Sequence, residues 1–165
     1  MVIIKNFLDK DSFKSIQKLI LESEFSWFRR KQMVANENYD LGYFSHSFFN
    51  KDKVNCVHFN KYILPILNKL KVKKLIEVRA NLSPSCFYKN KNSAFHVDNN
   101  LNCKTAIFYL NNCDGGTQLK IDNKIKFVQA EENKMLIFNS DIQHSGIVSK
   151  NVDFRYIINF NYFER

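Results

Sequence analysis

The chain has 165 residues, 45% of them hydrophobic with sixteen Phe and seven Tyr, which is the apolar mass of one folded core and argues against a disordered chain. Its net charge is +9, and twenty of the twenty-five basic residues are Lys. The basic stretches Lys69 to Lys74 and Lys89 to Lys91 are short and lack interleaved aromatics, so a solvated basic surface is favoured over a nucleic-acid groove.

A run of about eighteen apolar residues, enough to span a bilayer, is missing. The opening Met1-Val2-Ile3-Ile4-Lys5-Asn6-Phe7 has no basic start followed by a long apolar stretch, so no signal peptide is read and a cytoplasmic protein is expected. Cys56, Cys86, Cys103 and Cys113 form no Cys-x-x-Cys pair, which argues against a zinc ribbon and for reduced core thiols.

In chain order, a short strand over Val2 to Lys5 precedes a helix predicted from about Asp11 to Ser23, with Phe13, Ile16, Leu19 and Ile20 on its apolar side and Asp9 or Asp11 as its cap. A second helical region is predicted from about Val54 to Leu70, with Val57, Tyr62, Ile66 and Leu70 on one side. Pro65 inside it should kink or restart the helix. From Lys74 onward the pattern becomes short β-rich runs: 74–82, 93–98, 104–111, 117–121, 124–128, 134–139, 143–149 and 153–163. Asp114-Gly115-Gly116 separates two of them, and Asp122-Asn123 reads as a tight hairpin. The expected architecture is mostly β with N-terminal helices (α+β): one domain over 1–165, helical support over about 1–72 and a β core over about 73–165. Eight closely spaced strands fit an antiparallel double-sheet jelly roll, or double-stranded β-helix.

Four residues carry the chemistry. His96-Val97-Asp98 puts an imidazole and a carboxylate two positions apart, on one side of an extended strand. His144 supplies a second imidazole, and Arg155 follows eleven residues later inside Phe154-Arg155-Tyr156-Ile157-Ile158-Asn159-Phe160. Two His and one carboxylate are the facial triad that holds Fe(II) by three corners and leaves three positions open. An Arg beside them suits the far carboxylate of a 2-oxo diacid, because its planar fork binds carboxylates through paired hydrogen bonds. Taken singly, each has an ordinary reading: a capping His, a turn Asp before Asn99-Asn100, a polar strand end, a solvated strand Arg. Their order and spacing favour the site.

Lys104-Thr105-Ala106-Ile107-Phe108-Tyr109-Leu110-Asn111 followed by Gly115-Gly116-Thr117 resembles the core of prolyl-hydroxylase-like 2-oxoglutarate/Fe(II) dioxygenases. Met135-Leu136-Ile137-Phe138-Asn139 before His144-Ser145-Gly146 is similar to the strand leading into that family's distal His, and Phe154-Arg155 through Tyr162 fits its closing strand. The specific part runs from about Arg79 to Tyr162. A looser likeness to small bacteriophage-encoded members covers Phe25-Ser26-Trp27-Phe28, Phe44 to Phe49 and Val78 to Leu82.

The resemblance implies a jelly roll in which His96, Asp98 and His144 hold Fe(II). Arg155, with help from Tyr109, would anchor 2-oxoglutarate, with O2 as the other co-substrate and ascorbate as an accessory reductant. It also directs Thr105, Ile107 and Tyr109 toward the cavity. The family carries a Tyr or Asn about nine residues before its His-x-Asp; here Asn81 lies fifteen before His96 and Tyr88 eight, and both stay open as co-substrate contacts. Asp98 favours hydroxylation or demethylation, since halogenases of this superfamily lack the carboxylate. Arg79 is a weaker candidate for substrate or co-substrate contact. Trp27, Phe28, Arg29 and Arg30 are read either as a lid or, for Trp27, as ordinary packing. The substrate, whether protein side chain, nucleobase or small molecule, is left open, as is oligomeric state. A phage-encoded copy would work in the host cytoplasm. The competing readings are a catalytically silent jelly-roll binding protein and a basic nucleic-acid-binding domain.

Overall fold

A computed structural model describes residues 1–22, 24–30, 43–85 and 93–165. The order is β1 (Val2–Ile4), α1 (Lys10–Leu21), β2 (Phe28–Arg30), β3 (Tyr43–Asn50), β4 (Lys53–Val54), a π-helical turn (Phe59–Ile63), α2 (Leu64–Lys69), β5 (Val72–Pro84), β6 (Lys104–Tyr109), β7 (Gly116–Ile121), β8 (Lys124–Gln129), β9 (Lys134–Asn139), β10 (His144–Ile147) and β11 (Phe154–Glu164). The main sheet runs β1-β9-β6-β11-β5-β3-β2, with β4 paired to β3, and the small sheet runs β10-β7-β8. Every pairing is antiparallel. This is the expected jelly roll with helices on one outer face.

Strand alternation builds two cores from one sheet. One side of the main sheet, through Ala106 and Phe108 on β6 and Ile158, Phe160 and Tyr162 on β11, packs against Phe13, Ile16, Ile20, Ile63 and Ile66 of the helical layer. The other side, through Ile107, Tyr109, Leu136, Phe138 and Ile157, meets Leu119 and Val128 of the small sheet.

Local chemistry sets the element ends. Asp9 caps α1 by accepting from the Ser12 N–H at 2.9 Å. Phe13, Ile16 and Ile20 form its buried stripe, and Phe13 meets Phe108 edge-on at 6.0 Å between centroids. Asp122 and Asn123 both have positive φ, 51° and 58°, as a type I′ turn between β7 and β8 demands. Gly116 is required by close approach, since a Cβ there would collide with the Val128 carbonyl oxygen.

Three expectations are corrected. The segment before residue 72 is not purely helical support, because β2, β3 and β4 extend the main sheet. The β3 strand escapes a period-2 reading because a bulge lies between Ser47 and Phe49, and because one buried position is Ser45. The second helical region starts only at Phe59, with Val57 93% exposed. Pro65 restarts it at the first turn of α2, where its missing N–H goes unneeded. Of the strand predicted over 93–98, only a single bridge pair survives, His96 with His144.

Cys103 and Cys113 are buried free thiols and Cys56 is half-buried and free; Cys86 lies outside the described residues. Among the described residues no helix is long and apolar enough to cross a membrane.

Candidate active site

His144 opens β10, and His96 pairs with it through reciprocal backbone hydrogen bonds of 3.0 and 2.9 Å. That pairing sets the two imidazoles side by side, 4.5 Å between ring centroids. His96 Nδ1 lies 3.0 Å from the Ala94 carbonyl oxygen, and His144 Nδ1 lies 3.3 Å from that of Ile142. A carbonyl only accepts, so each Nδ1 carries a ring proton and Nε2 is the nitrogen each ring turns to the site. Both Nε2 atoms converge on Asp98 Oδ1, at 3.7 Å from His96 and 3.6 Å from His144. The three ligand atoms all lie within 4.8 Å of one another, spacing that suits one shared metal ion.

The other oxygen of Asp98 is fixed from β11. Oδ2 accepts from Asn159 Nδ2 at 2.9 Å and from Asn161 Nδ2 at 3.3 Å, and Asn161 Oδ1 accepts from Thr105 Oγ1 at 2.8 Å. Burial works against the charge of Asp98. The adjacent His144 imidazole, the Asn159 amide and His96 outweigh it and hold the carboxyl well below the usual carboxylate range. The site therefore offers two imidazole nitrogens and one carboxylate oxygen, the donor set of a facial triad.

These groups line a cavity between the two sheets with about 520 Å³ of empty space, part of it open to solvent. Its wall includes Arg155, 3% exposed, with Nε and Nη1 buried and without hydrogen-bond partners. Burial pulls the Arg155 pKa below its ordinary value, while the neighbouring Tyr109 and Cys113 favour its charge. A buried cation with unmet donors is costly unless an anion completes it, so the geometry fits a carboxylate ligand.

Tyr109 is fully buried, its phenol pushed up to about 12 chiefly by burial, and it donates to Thr117 Oγ1 at 2.7 Å. It stands behind Thr117, which lines the cavity. Thr105 points to the same side but does not line the cavity; its hydroxyl reaches Asp98 only through Asn161. Asn81 does line the cavity, with Oδ1 buried and unpartnered, whereas Tyr88 lies outside the described residues.

Arg79, Ser83 and Tyr43 also face the cavity. The first two follow from the alternation of β5 (79, 81, 83), whereas Tyr43 sits on the strand that the sequence reading missed. Asn159 and Asn161 were visible as a polar row beside Arg155, yet their grip on Asp98 needs the fold. Trp27 is no lid: it packs on Phe25 at 5.1 Å and Tyr156 at 6.1 Å. Arg30 Nε donates to Ser45 Oγ at 2.9 Å, and Phe28 is exposed.

No family model matches this sequence, and no curated protein sequence matches it. Solved structures do match in shape. A prolyl hydroxylase from Trichoplax adhaerens, in complex with a hypoxia inducible factor oxygen degradation domain peptide fragment, is 19% identical with a TM-score of 0.70, over 99% of this chain and 83% of that one. A 2OG-Fe(II) oxygenase family oxidoreductase from Burkholderia pseudomallei is 10% identical with a TM-score of 0.76, over 99% and 85%. The epimerase SnoN in complex with Fe3+, alpha ketoglutarate and nogalamycin RO is 11% identical with a TM-score of 0.66, over 99% and 78%. This chain has the fold of the 2OG-Fe(II) oxygenases.

Proposed function

We propose that the protein is a non-haem Fe(II), 2-oxoglutarate-dependent dioxygenase that hydroxylates a substrate other than the co-substrate. One observation carries the reading: a His-Asp-His donor set shares a cavity with a buried guanidinium whose Nε and Nη1 have no hydrogen-bond partner.

His96, Asp98 and His144 would hold the metal, each ring kept in register by its Nδ1 contact to a backbone carbonyl. Arg155 would bind the distal carboxylate of 2-oxoglutarate through the Nε and Nη1 donors that lack partners. Tyr109 keeps its proton and, through Thr117, supports the same end of the cavity. Asn159 and Asn161 hold Asp98 as a ligand, so the carboxylate does not swing toward the co-substrate. When bound, iron and 2-oxoglutarate together activate O2 and yield succinate and carbon dioxide alongside the oxidised substrate. The walls supplied by Ile107 and Ile157 keep part of the site dry.

Hydroxylation is favoured over halogenation because Asp98 occupies the third ligand position. An epimerase shares this fold, so the fold by itself does not choose the outcome.

The test is O2-dependent formation of succinate from 2-oxoglutarate by the Fe(II)-loaded protein, with and without ascorbate. Turnover that disappears in His96→Ala and needs more 2-oxoglutarate in Arg155→Lys supports the reading. Folded, iron-loaded protein that makes no succinate overturns it.

A further inference from the structure

The cavity carries one guanidinium more than the co-substrate requires. Arg155 and Arg79 stand on the neighbouring strands β11 and β5, where the register sets Arg155 opposite Ser83 and Arg79 opposite Asn159. Ser83 lies four positions along β5 from Arg79, about 13 Å in an extended strand. A five-carbon diacid that chelates a metal through its 2-oxo end has one free carboxylate, and the buried fork of Arg155 accounts for it.

Arg79 is only partly committed. Its Nη1 makes a long contact to Glu77 Oε1, 3.7 Å, and its Nε is buried with no partner. Beside it, Asn81 Oδ1 and Asn159 Oδ1 are likewise buried and unpartnered. The Asn159 amide cannot simply be turned round, because its Nδ2 donates to Asp98. One wall therefore presents a cationic donor and two amide acceptors, beside the metal-binding residues, all short of hydrogen bonds. Left unmet, each destabilises the ligand-free protein.

We propose that this wall is the prime-substrate subsite, and that Arg79 selects a substrate bearing a carboxylate, with a nearby N–H taken by Asn81 and Asn159. That pattern belongs to an amino-acid unit. The inference rests on reading His96, Asp98, His144 and Arg155 as the metal and co-substrate site. Carboxylate is favoured over phosphate because Glu77 already offsets part of the Arg79 charge and no Lys among the described residues lines the cavity. What remains matches a monoanion better than a phosphate ester.

The experiment follows arginine Nε–H resonances in the nitrogen-labelled full chain, with Zn(II) as a diamagnetic stand-in for iron and assignments from Arg79→Lys and Arg155→Lys. Adding 2-oxoglutarate should shift Arg155 and leave Arg79 in place. Adding N-acetylglycine to that complex should then shift Arg79, whereas N-acetylglycinamide should not. Arg79→Gln should weaken N-acetylglycine by about tenfold while leaving 2-oxoglutarate affinity within about twofold. An Arg155 shift with Arg79 unmoved by N-acetylglycine overturns the subsite alone, as does tighter binding of methyl phosphate. An equal response of both arginines to 2-oxoglutarate makes Arg79 a co-substrate anchor, which also overturns it. No Arg155 response to 2-oxoglutarate overturns the co-substrate reading and the subsite with it.

Discussion

The two faces of the main sheet come from the same strands, residue by alternate residue, and have opposite characters. On β11, Ile158, Phe160 and Tyr162 point into the helix-covered core, while Arg155, Asn159 and Asn161 point toward the cavity side. Seven buried side-chain atoms lack a hydrogen-bond partner among the described residues, and five belong to Arg79, Asn81, Arg155 and Asn159 on the cavity wall. The helix-covered face is thus nearly complete as it stands, whereas the cavity face is complete only with ligands. Stability and function have been assigned to opposite sides of one strand, which makes them separable by mutation.

The largest effect should come from the ligand set. His144→Ala removes one of three metal ligands and should weaken Fe(II) binding by more than about 100-fold, a greater loss than is usual for residues that merely orient a ligand. Its unfolding midpoint without metal should move little. Equilibrium dialysis and a urea titration on the same protein would separate the two.

Phe108→Ala should do the reverse. Phe108 is fully buried and meets both Phe7 and Phe13, so its loss should destabilise the protein by about 3–5 kcal/mol. Whatever fraction remains folded should bind metal as before.

Arg155→Met sharpens the contrast, because it should raise stability and lower function together. Replacing a buried guanidinium with two unmet donors by an apolar chain should stabilise the ligand-free protein by about 1–3 kcal/mol, read as a higher denaturation midpoint. The same protein should need much more 2-oxoglutarate to form its ternary complex.

Thr105→Val breaks the outermost link of the Thr105-Asn161-Asp98 chain and should cost about tenfold in metal affinity with little change in fold.

The smallest effect is a pH dependence on the helix-covered side. His46 sits between Phe25 and Phe48, its Nδ1 2.8 Å from the Ser26 carbonyl oxygen, and burial lowers its pKa below the ordinary 6.5. The unfolded chain therefore takes up this proton at a higher pH than the folded one. The stability tied to neutral His46 is present above about pH 6.5 and declines as pH falls toward the lower folded value. Urea midpoints measured between pH 5 and 8 should show a shallower decline in His46→Phe.

Much of this division was legible in the sequence. The alternation over 104–111 and 153–163 separates the two faces, and His96, Asp98, His144 and Arg155 stand out by type and spacing. What stayed hidden depends on pairing between distant segments. The bulge in β3 conceals a strand and with it Tyr43, and the 93–98 run is held beside β10 by one bridge pair to His144 and by Ser93 bonding to Ser145 and Gly146 rather than as a regular strand. Thr105 was read as a cavity residue from parity together with the family resemblance. Parity gives the correct side, but depth along the strand decides whether a side chain reaches the ligand or only another side chain. The second guanidinium gains its meaning from what surrounds it, since its unmet Nε exists only once Glu77, Asn81 and Asn159 are placed around it.

The most direct test is an anaerobic titration of the metal-free protein with Fe(II) and then 2-oxoglutarate, following the visible metal-to-ligand charge-transfer band. The band should form in the parent protein, fail in His144→Ala and require more 2-oxoglutarate in Arg155→Met. A folded parent protein that binds both ligands without the band, or a band that survives in His144→Ala, would contradict the site described for this fold.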